Sequence, residues 1–232
     1  MRLVLFDLDM TLLAGDSDRA WASFIARTGV VNSEEHEELE RYYYAQYVNG
    51  TLDIHEFLQF HFAPLTLTPK PVLDAWRERF VEEEIRPMVR REALQLVDSW
   101  RKKEALMAIV TATNRYVAEA ASRLFAIDAL IATELEEVDG VFTGKAAGTP
   151  AFREGKILRV EAWLASLGRT WDDFSETWFY SDSHNDLPLL ERVNRPVATN
   201  PDAVLLAHAQ KRGWPIIELY ERKSEIQGKP EV

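Results

Sequence analysis

Short apolar runs alternate with helical patterns over most of this 232-residue chain. The first run, Leu3–Phe6, is followed at once by Asp7, as expected of a buried strand that delivers a carboxylate at its carboxyl end. Asp139-Gly140 predicts a hairpin around Val138–Thr143. Comparable apolar runs recur at Leu106–Val110, Leu130–Ala132, Trp178–Tyr180, Pro196–Ala198 and Ile216–Ile217. Strands that alternate with helices predict an α/β fold built on a doubly wound parallel sheet.

The segment between residues 16 and 86 follows a different pattern. Apolar residues such as Trp21 and Phe24 recur there at helical spacing, and no strand-like alternation interrupts them. We therefore predict an all-helical domain, residues 16–86, inserted into an α/β core domain made of residues 1–15 and 87–232.

The composition excludes several classes of protein. Asp and Glu outnumber Lys and Arg by 38 to 27, and the net charge of −11 would repel nucleic acids and anionic membranes, so neither is expected as a partner. The chain has no cysteine, which rules out disulfides, thiolate zinc sites and cysteine nucleophiles. No apolar stretch reaches the ~18 residues of a membrane span, and Asp7 and Asp9 interrupt the N-terminal run too early for a signal peptide. We expect a soluble, cytoplasmic protein.

Polar residues gather where ligands bind in such a sheet. Ligands of open parallel sheets lie beyond the carboxyl ends of the strands. The residues predicted at that edge are Asp7, Asp9, Thr111, Lys156, Asp182 and Asp186. Carboxylates that are packed together raise one another's pKa unless a divalent cation offsets their repulsion. Oxygen ligands suit Mg²⁺, which keeps waters and a substrate phosphate in its shell. The sequence therefore predicts a Mg²⁺ site at this edge.

The fragments that carry these residues are Phe6–Leu12, Val110–Asn114, Gly155–Lys156 and Tyr180–Pro188. Together, and in this order, they resemble the four motifs of haloacid dehalogenase-like (HAD) phosphohydrolases. The helical insertion is similar in position to the cap of the phosphoserine phosphatase (SerB-like) branch. The resemblance implies a Rossmann-like core with a helical cap, and a Mg²⁺-dependent phosphatase whose partner is a small-molecule phosphate monoester.

The resemblance also implies catalytic roles for the matching residues. Asp7 would be the nucleophile that becomes an aspartyl phosphate. Asp9 would protonate the leaving oxygen and then act as the base for the hydrolytic water. Thr111 and Lys156 would hold the phosphoryl oxygens.

The implied metal ligands are the Asp7 carboxylate, the backbone carbonyl of Asp9 and the Asp182 carboxylate. Asp186 would help through a water molecule or by orienting Lys156.

Two further motif residues, Met10 and Ala112, complete the implied phosphate-binding set. Met10 stands where relatives often carry Gly or Ser. Its backbone amide could still face the phosphate, although the larger side chain must find room.

The implied substrate depends on the cap. In phosphoserine phosphatases an acidic residue nine positions after the nucleophile binds the substrate's amino group, and here that position is Asp16. The same relatives use a cap arginine for the substrate carboxylate, yet no arginine lies between Tyr47 and Lys70. A bidentate arginine is the usual carboxylate partner, so we expect an ester with an amine and no carboxylate, such as histidinol phosphate. The whole chain also resembles SerB-type phosphatases proposed to act on that ester.

Several alternatives stay open from the sequence. Phosphoserine or a broad range of small esters could be the substrate, and an acceptor other than water would make the chain a phosphotransferase. A signalling receiver domain also combines acids, Thr and Lys, but without a helical insertion after its first strand. Three arginines outside the segment from Tyr47 to Lys70 are expected at the surface: Arg41, Arg77 and Arg79. Four tyrosines are expected in helix packing rather than in a substrate cage: Tyr42, Tyr43, Tyr44 and Tyr47. The five histidines show no metal-ligand spacing.

Overall fold

The computed structural model describes residues 1–127 and 129–221. Within them one sheet is formed by β1 (Arg2–Phe6), β2 (Leu106–Asn114), β3 (Ala129–Val138), β4 (Val141–Ala147), β5 (Glu176–Ser181), β6 (Arg195–Thr199) and β7 (Ile216–Ile217). The strand order is β4-β3-β2-β1-β5-β6-β7. Neighbouring strands are parallel, except for β3 and β4, which form an antiparallel hairpin. The predicted α/β fold and the predicted hairpin are confirmed.

Two strands, β2 and β3, extend furthest beyond their apolar runs. β2 continues to Asn114 because its pairing with β3 resumes there, opposite Thr133, after an irregular stretch. β3 continues to Val138 because its second half pairs with β4. Backbone pairing with a neighbour extends both strands into polar sequence.

Helices cover both faces of the sheet. After the first strand come α1 (Ser17–Thr28), α2 (Ser33–Val48), α3 (Ile54–Thr66) and α4 (Lys70–Phe80), then α5 (Arg91–Arg101), α6 (Arg115–Ser122), α7 (Glu154–Ser166), α8 (Leu187–Arg192) and α9 (Ala203–Arg212). α4 is prolonged by a π-helical turn, Val81–Ile85, and a further helical turn, Arg86–Met88.

The alternation of β1 divides the core into two layers. Val4 and Phe6 pack on one face with residues of α5 and α6, whereas Leu3 and Leu5 pack on the other with residues of α7, α8 and α9. Successive side chains of a strand point to opposite faces, so an apolar run such as this one is buried on both sides.

Three of the helices after β1, namely α1, α3 and α4, share the first of these layers. Trp21 of α1 stacks on Phe24 with ring centroids 5.7 Å apart and meets Phe80 edge-on at 5.0 Å. α1, α2 and α3 begin at Asp16, Asn32 and Asp53, whose side chains each accept two backbone N–H groups. Such caps satisfy donors that have no partner within the helix.

The chain passes between the sheet and these helices twice, and the two passages contact each other. Leu13 and Val89 form an isolated antiparallel bridge, and the N–H of Ala14 donates to the carbonyl of Met88 at 2.8 Å. A Cβ atom on Gly15 would lie 2.7 Å from the sulfur of Met88, so glycine allows this close approach.

No helix in the described parts of the chain is long and apolar enough to cross a membrane.

We expect Leu73→Ala to lower the free energy of unfolding by about 2–5 kcal/mol, because it leaves a cavity in the core. Leu73 lies on α4 and is fully buried. The matched control is Leu39→Ala on α2, where the side chain is 44% exposed, and it should cost less than about 0.5 kcal/mol. Urea unfolding followed by circular dichroism measures both; equal losses would contradict the packing described here.

Candidate active site

A buried lysine lies between two carboxylates at the carboxyl edge of the sheet. Nζ of Lys156 donates to Oδ1 of Asp7 at 2.8 Å and to Oδ2 of Asp186 at 2.7 Å. The Ser181 hydroxyl donates to the same Asp186 oxygen at 2.7 Å. Asp7 follows β1 and Ser181 ends β5, so two neighbouring strands and the start of α7 meet at this point.

The loop before α7 determines where Lys156 lies. A Cβ atom on Gly155 would come within 2.1 Å of the carbonyl oxygen of Pro150, so only glycine permits this packing of the helix start. Lys156 itself is 2% exposed. A lysine is almost never buried to this degree without charged partners.

Burial and charge shift the pKa values of this group in opposite senses. Burial raises the pKa of Asp7 to about 7; Lys156 opposes that shift, whereas Asp186 and Asp9 add to it. Burial alone would lower the pKa of Lys156, but Asp186 and Asp7 outweigh it and raise that pKa above its usual range. Lys156 therefore remains an ammonium and offsets the charge of the carboxylates.

Asp9 lies beside this group and is held at both carboxylate oxygens. The N–H of Ser17 donates to Oδ1 at 2.6 Å, and the hydroxyl of Thr113 donates to Oδ2 at 2.6 Å. Burial, helped by the negative charge of Asp16, raises the pKa of Asp9 to about 6, while the hydrogen bonds act in the other direction. A carboxyl with such a pKa can both give and take a proton near neutral pH.

Thr111 and Ala112 lie in the irregular part of β2, at the same edge of the sheet. Thr111 is 1% exposed, and its hydroxyl oxygen accepts the N–H of Thr113 at 3.1 Å. The carbonyl of Ala112 accepts the hydroxyl of Thr133 at 2.7 Å.

Met10 differs from what the motif led us to expect. Its N–H donates to the carbonyl of Gly15 at 3.0 Å, so this amide is already used within the loop and does not face a phosphate. The loop turns back on itself because Met10 adopts the left-handed conformation, with φ of 54°. That conformation explains a preference for glycine at this position.

The oxygen atoms of this edge suit a Mg²⁺ ion. The expected ligands, the Asp7 carboxylate, the Asp9 carbonyl and the Asp182 carboxylate, are hard oxygen donors. In the described ranges no three His, Asp or Glu side chains are grouped to hold a metal by themselves. Mg²⁺ does not need such a group because it retains waters and substrate oxygens. A cation would also relieve the repulsion that raises the pKa of Asp7, so the residues fit this metal.

The hydrogen bonds of Asp186 distinguish between the two roles that its motif left open. Its Oδ2 atom accepts from both Lys156 and Ser181. These contacts favour the second of the two expected roles, the orientation of Lys156.

Asp16 lies close to Asp9 and caps α1. Its Oδ1 atom accepts the N–H groups of Asp18 at 3.0 Å and Arg19 at 2.9 Å. Burial raises the pKa of Asp16 to about 6, and the negative charges of Asp18 and Glu40 act in the same direction. The carboxylate is thus a helix cap as well as a candidate partner for a substrate cation.

Next to Asp16, a histidine joins three helices through buried acids. Nε2 of His61 on α3 lies 3.0 Å from Glu40 on α2, and Nδ1 lies 3.6 Å from Asp18 on α1. Burial lowers the pKa of His61, but Asp18, Glu40 and Asp16 outweigh it, and the net shift is upward. Histidine spacing in the sequence could not reveal this cluster, because its acids come from other helices.

The arginines are not arranged as expected. Arg41 and Arg79 lie at the surface as predicted, with side chains 66% and 63% exposed. The prediction for Arg77 is wrong: its side chain is 23% exposed, lies over the Tyr116 ring and donates to the Tyr116 carbonyl, because α4 packs against α6. Arg19 of α1 lies over the Tyr44 ring, 3.9 Å from its centroid, and 3.7 Å from Glu40. The search for a cap arginine in the sequence missed Arg19, because it lies outside the segment from Tyr47 to Lys70.

Tyr47 extends from α2 to the edge of the sheet. Its hydroxyl donates to Ser183 Oγ at 2.9 Å, and its carbonyl accepts Nδ2 of Asn185 at 3.1 Å. Burial and the charges of Asp182, Asp186 and Asp7 raise the pKa of Tyr47 well above its usual range. Tyr47 therefore contacts the loop after β5, in addition to the helix packing that the sequence predicted.

Arg153 makes a second contact between the same two regions. Its guanidinium donates to the carbonyl of Gly50, in the turn after α2, and to Oδ1 of Asn185. A Cβ atom on Gly50 would lie 3.1 Å from the ring of His184, so this turn is in close contact with the loop that follows β5.

The chain is similar to several known proteins. A family model described as haloacid dehalogenase-like hydrolase matches residues 4–191. A histidinol-phosphatase from Neisseria meningitidis serogroup C (strain 8013) is 42% identical over 93% of this chain and 97% of its own length. A solved protein of unknown function from Bordetella pertussis Tohama I has 44% identity and a TM-score of 0.90, over 94% of this chain and 99% of that chain.

A substrate-bound phosphoserine phosphatase shares the fold, with a TM-score of 0.65 at 18% identity, over 94% of this chain and 92% of that chain. The receiver domain considered from the sequence is excluded, because the family model extends over most of the chain. On these matches the chain belongs to the haloacid dehalogenase-like hydrolases.

Proposed function

We propose that this HAD phosphatase is a Mg²⁺-dependent phosphomonoester hydrolase that works through an aspartyl phosphate on Asp7. Its substrate in this proposal is a small amine-bearing ester of the histidinol phosphate type. The buried Asp7–Lys156–Asp186 group, with Asp9 beside it, carries the proposal. The 42% identity to a histidinol-phosphatase supports the choice of ester.

In the first half-reaction a carboxylate oxygen of Asp7 attacks phosphorus as the bond from phosphorus to the ester oxygen breaks. Asp9 gives its proton to that oxygen, which leaves as an alcohol. A carboxylate nucleophile divides the transfer into two easier steps.

In the second half-reaction water attacks the phosphorus of the aspartyl phosphate. Asp9 now takes a proton from this water, and the bond between phosphorus and the Asp7 oxygen breaks. Inorganic phosphate leaves, and both aspartates return to their starting states.

Charge neutralisation is the main requirement of such a transfer. Lys156 supplies a fixed positive charge beside Asp7, and in this proposal the Thr111 hydroxyl holds a phosphoryl oxygen. Asp7, the Asp9 carbonyl and Asp182 would hold Mg²⁺, which when bound offsets negative charge on the phosphoryl oxygens.

We assign the choice of ester to a cap made of residues 16–86, set on a core of residues 1–15 and 87–232. In this proposal Asp16 receives the ammonium of the substrate, since it is half-buried and lies close to Asp9. The neighbouring cluster of Asp18, Glu40 and His61 adds acidic groups on the same side.

Phosphoserine is the second candidate, and one observation favours it. Arg19 follows Asp16 by three residues, and its N–H donates to the Asp16 carboxylate. A guanidinium there could take the carboxylate of phosphoserine, but it would have to compete with Glu40, 3.7 Å away.

The direct test measures phosphate release from histidinol phosphate and from phosphoserine, each with Mg²⁺ and with EDTA. We expect kcat/KM for histidinol phosphate above ~10⁴ M⁻¹s⁻¹, the lower end for a physiological substrate, with phosphoserine far behind and EDTA abolishing turnover. A preference for phosphoserine that Arg19→Met removes would instead establish the second candidate.

Asp7→Asn should lower kcat by more than about 10³-fold, because removal of a nucleophile eliminates most of the catalysis. Circular dichroism should show an unchanged fold. The control Asp172→Asn alters an exposed carboxylate far from this edge and should keep full activity. Near-normal turnover of Asp7→Asn would remove Asp7 from the nucleophile's role.

Asp16→Asn separates the charge of this residue from its capping function. Asparagine caps helices as well as aspartate does, so the start of α1 should be preserved. Loss of a charged partner should raise KM for histidinol phosphate by about 10-fold or more and leave 4-nitrophenyl phosphate, which has no amine, little changed. Equal increases for both esters would show that Asp16 does not read the amine.

A further inference from the structure

The carboxylate of Asp9 is held from two different parts of the chain. Ser17, the first residue of α1, donates its backbone N–H to Oδ1 at 2.6 Å. Thr113, on β2, donates its hydroxyl to Oδ2 at 2.6 Å. Each oxygen has its own partner, and the two partners together set the plane of the carboxyl group.

The two partners differ in whether they can also accept a hydrogen bond, which matters when Asp9 carries a proton. A backbone N–H can only donate, so Oδ1 must remain an acceptor. A hydroxyl can donate or accept, so Oδ2 can carry the proton while Oγ1 of Thr113 stays in contact with it. The hydroxyl of Ser17 is also buried nearby, and like the Thr113 hydroxyl it lowers the pKa of Asp9.

Thr113 is itself firmly placed. It is 4% exposed, and its backbone N–H donates to the hydroxyl oxygen of Thr111 at 3.1 Å. A β-branched side chain has few χ1 rotamers. Its hydroxyl is therefore oriented toward Asp9 before any substrate arrives.

We propose that Thr113 is the positioning residue of the acid/base group: its hydroxyl keeps Oδ2 of Asp9 in one orientation in both half-reactions. This inference rests on the proposed function. In the first half-reaction the proton on Oδ2 passes to the ester oxygen as the bond from phosphorus to that oxygen breaks. In the second half-reaction Oδ2 takes one proton from the attacking water. Thr113 neither gains nor loses a proton overall.

Two esters of nearly equal size test this role. Phenol has a pKa of about 10, like tyrosine, so phenyl phosphate needs a proton donor for its leaving group, whereas 4-nitrophenyl phosphate needs little help. We expect Thr113→Val to lower kcat/KM for phenyl phosphate by about 10- to 100-fold, part of what a general acid contributes. The value for 4-nitrophenyl phosphate should change by less than about 3-fold, and Thr113→Ser should restore most of the loss.

The matched control is Thr177→Val. Thr177 is 5% exposed on β5, and its hydroxyl oxygen accepts the N–H of Asn194 at 2.9 Å, at the end of the strand away from the site. It should leave the ratio of the two esters unchanged. Asp9→Asn provides the reference, since it should show the same dependence on the ester as Thr113→Val, but larger.

A rapid-mixing measurement tests the second half-reaction. If Thr113→Val slows hydrolysis of the aspartyl phosphate, 4-nitrophenyl phosphate should give a burst of one nitrophenol per enzyme before slow turnover. The burst reports the acid/base step, which a loss of stability alone would not change.

The outcomes separate the inference from the proposed function. Equal losses on both esters without a burst, or a Thr113→Ser variant as impaired as Thr113→Val, would overturn the role of Thr113 while Asp9→Asn still showed the ester dependence. If the wild-type protein released phosphate neither from these two esters nor from histidinol phosphate or phosphoserine, the proposed function would fail, and the role of Thr113 with it.

Discussion

The ammonium of Lys156, buried between Asp7 and Asp186, is the interaction on which the site depends. Removing an ion from water is costly, and close pairing with further hydrogen bonds must repay that cost. Three separate segments supply these partners. Asp7 follows β1, and the loop after β5 provides Asp186, whose carboxylate also accepts the Ser181 hydroxyl. Gly155 allows α7 to begin close enough for Lys156 to reach both carboxylates. The same ammonium also lets two carboxylates lie together without full repulsion.

Much of the fold and the central residues of the site could be predicted, because their signals are local. An apolar run followed by an acid locates Asp7, and the turn before α7 locates Lys156. Thr113 could not be assigned, since its partner Asp9 lies 104 residues away. Tyr47 contacts Ser183 across 136 residues, and no local pattern near either residue predicts this contact. Met10 was misjudged for a different reason: its φ, not its side chain, decides where the amide points.

In the proposed function, the charged groups around Asp16 both hold helices together and lie nearest to the substrate's amine. Asp16 caps α1, and His61 joins α1, α2 and α3 through Asp18 and Glu40. On that proposal, groups that hold these helices together would also be the groups nearest to the substrate cation. Substrate preference could then change only within limits, because a change of charge there also alters the packing of three helices.

The two passages of the chain between the sheet and the inserted helices are joined by the Leu13–Val89 bridge and the Ala14–Met88 hydrogen bond. Two linkers that are bonded side by side cannot twist independently of each other. Any rotation of the inserted helices relative to the sheet would therefore act on both linkers at once. Because Ser17 follows the Ala14–Met88 contact by only a few residues and binds Asp9, such a rotation would also change the orientation of Asp9.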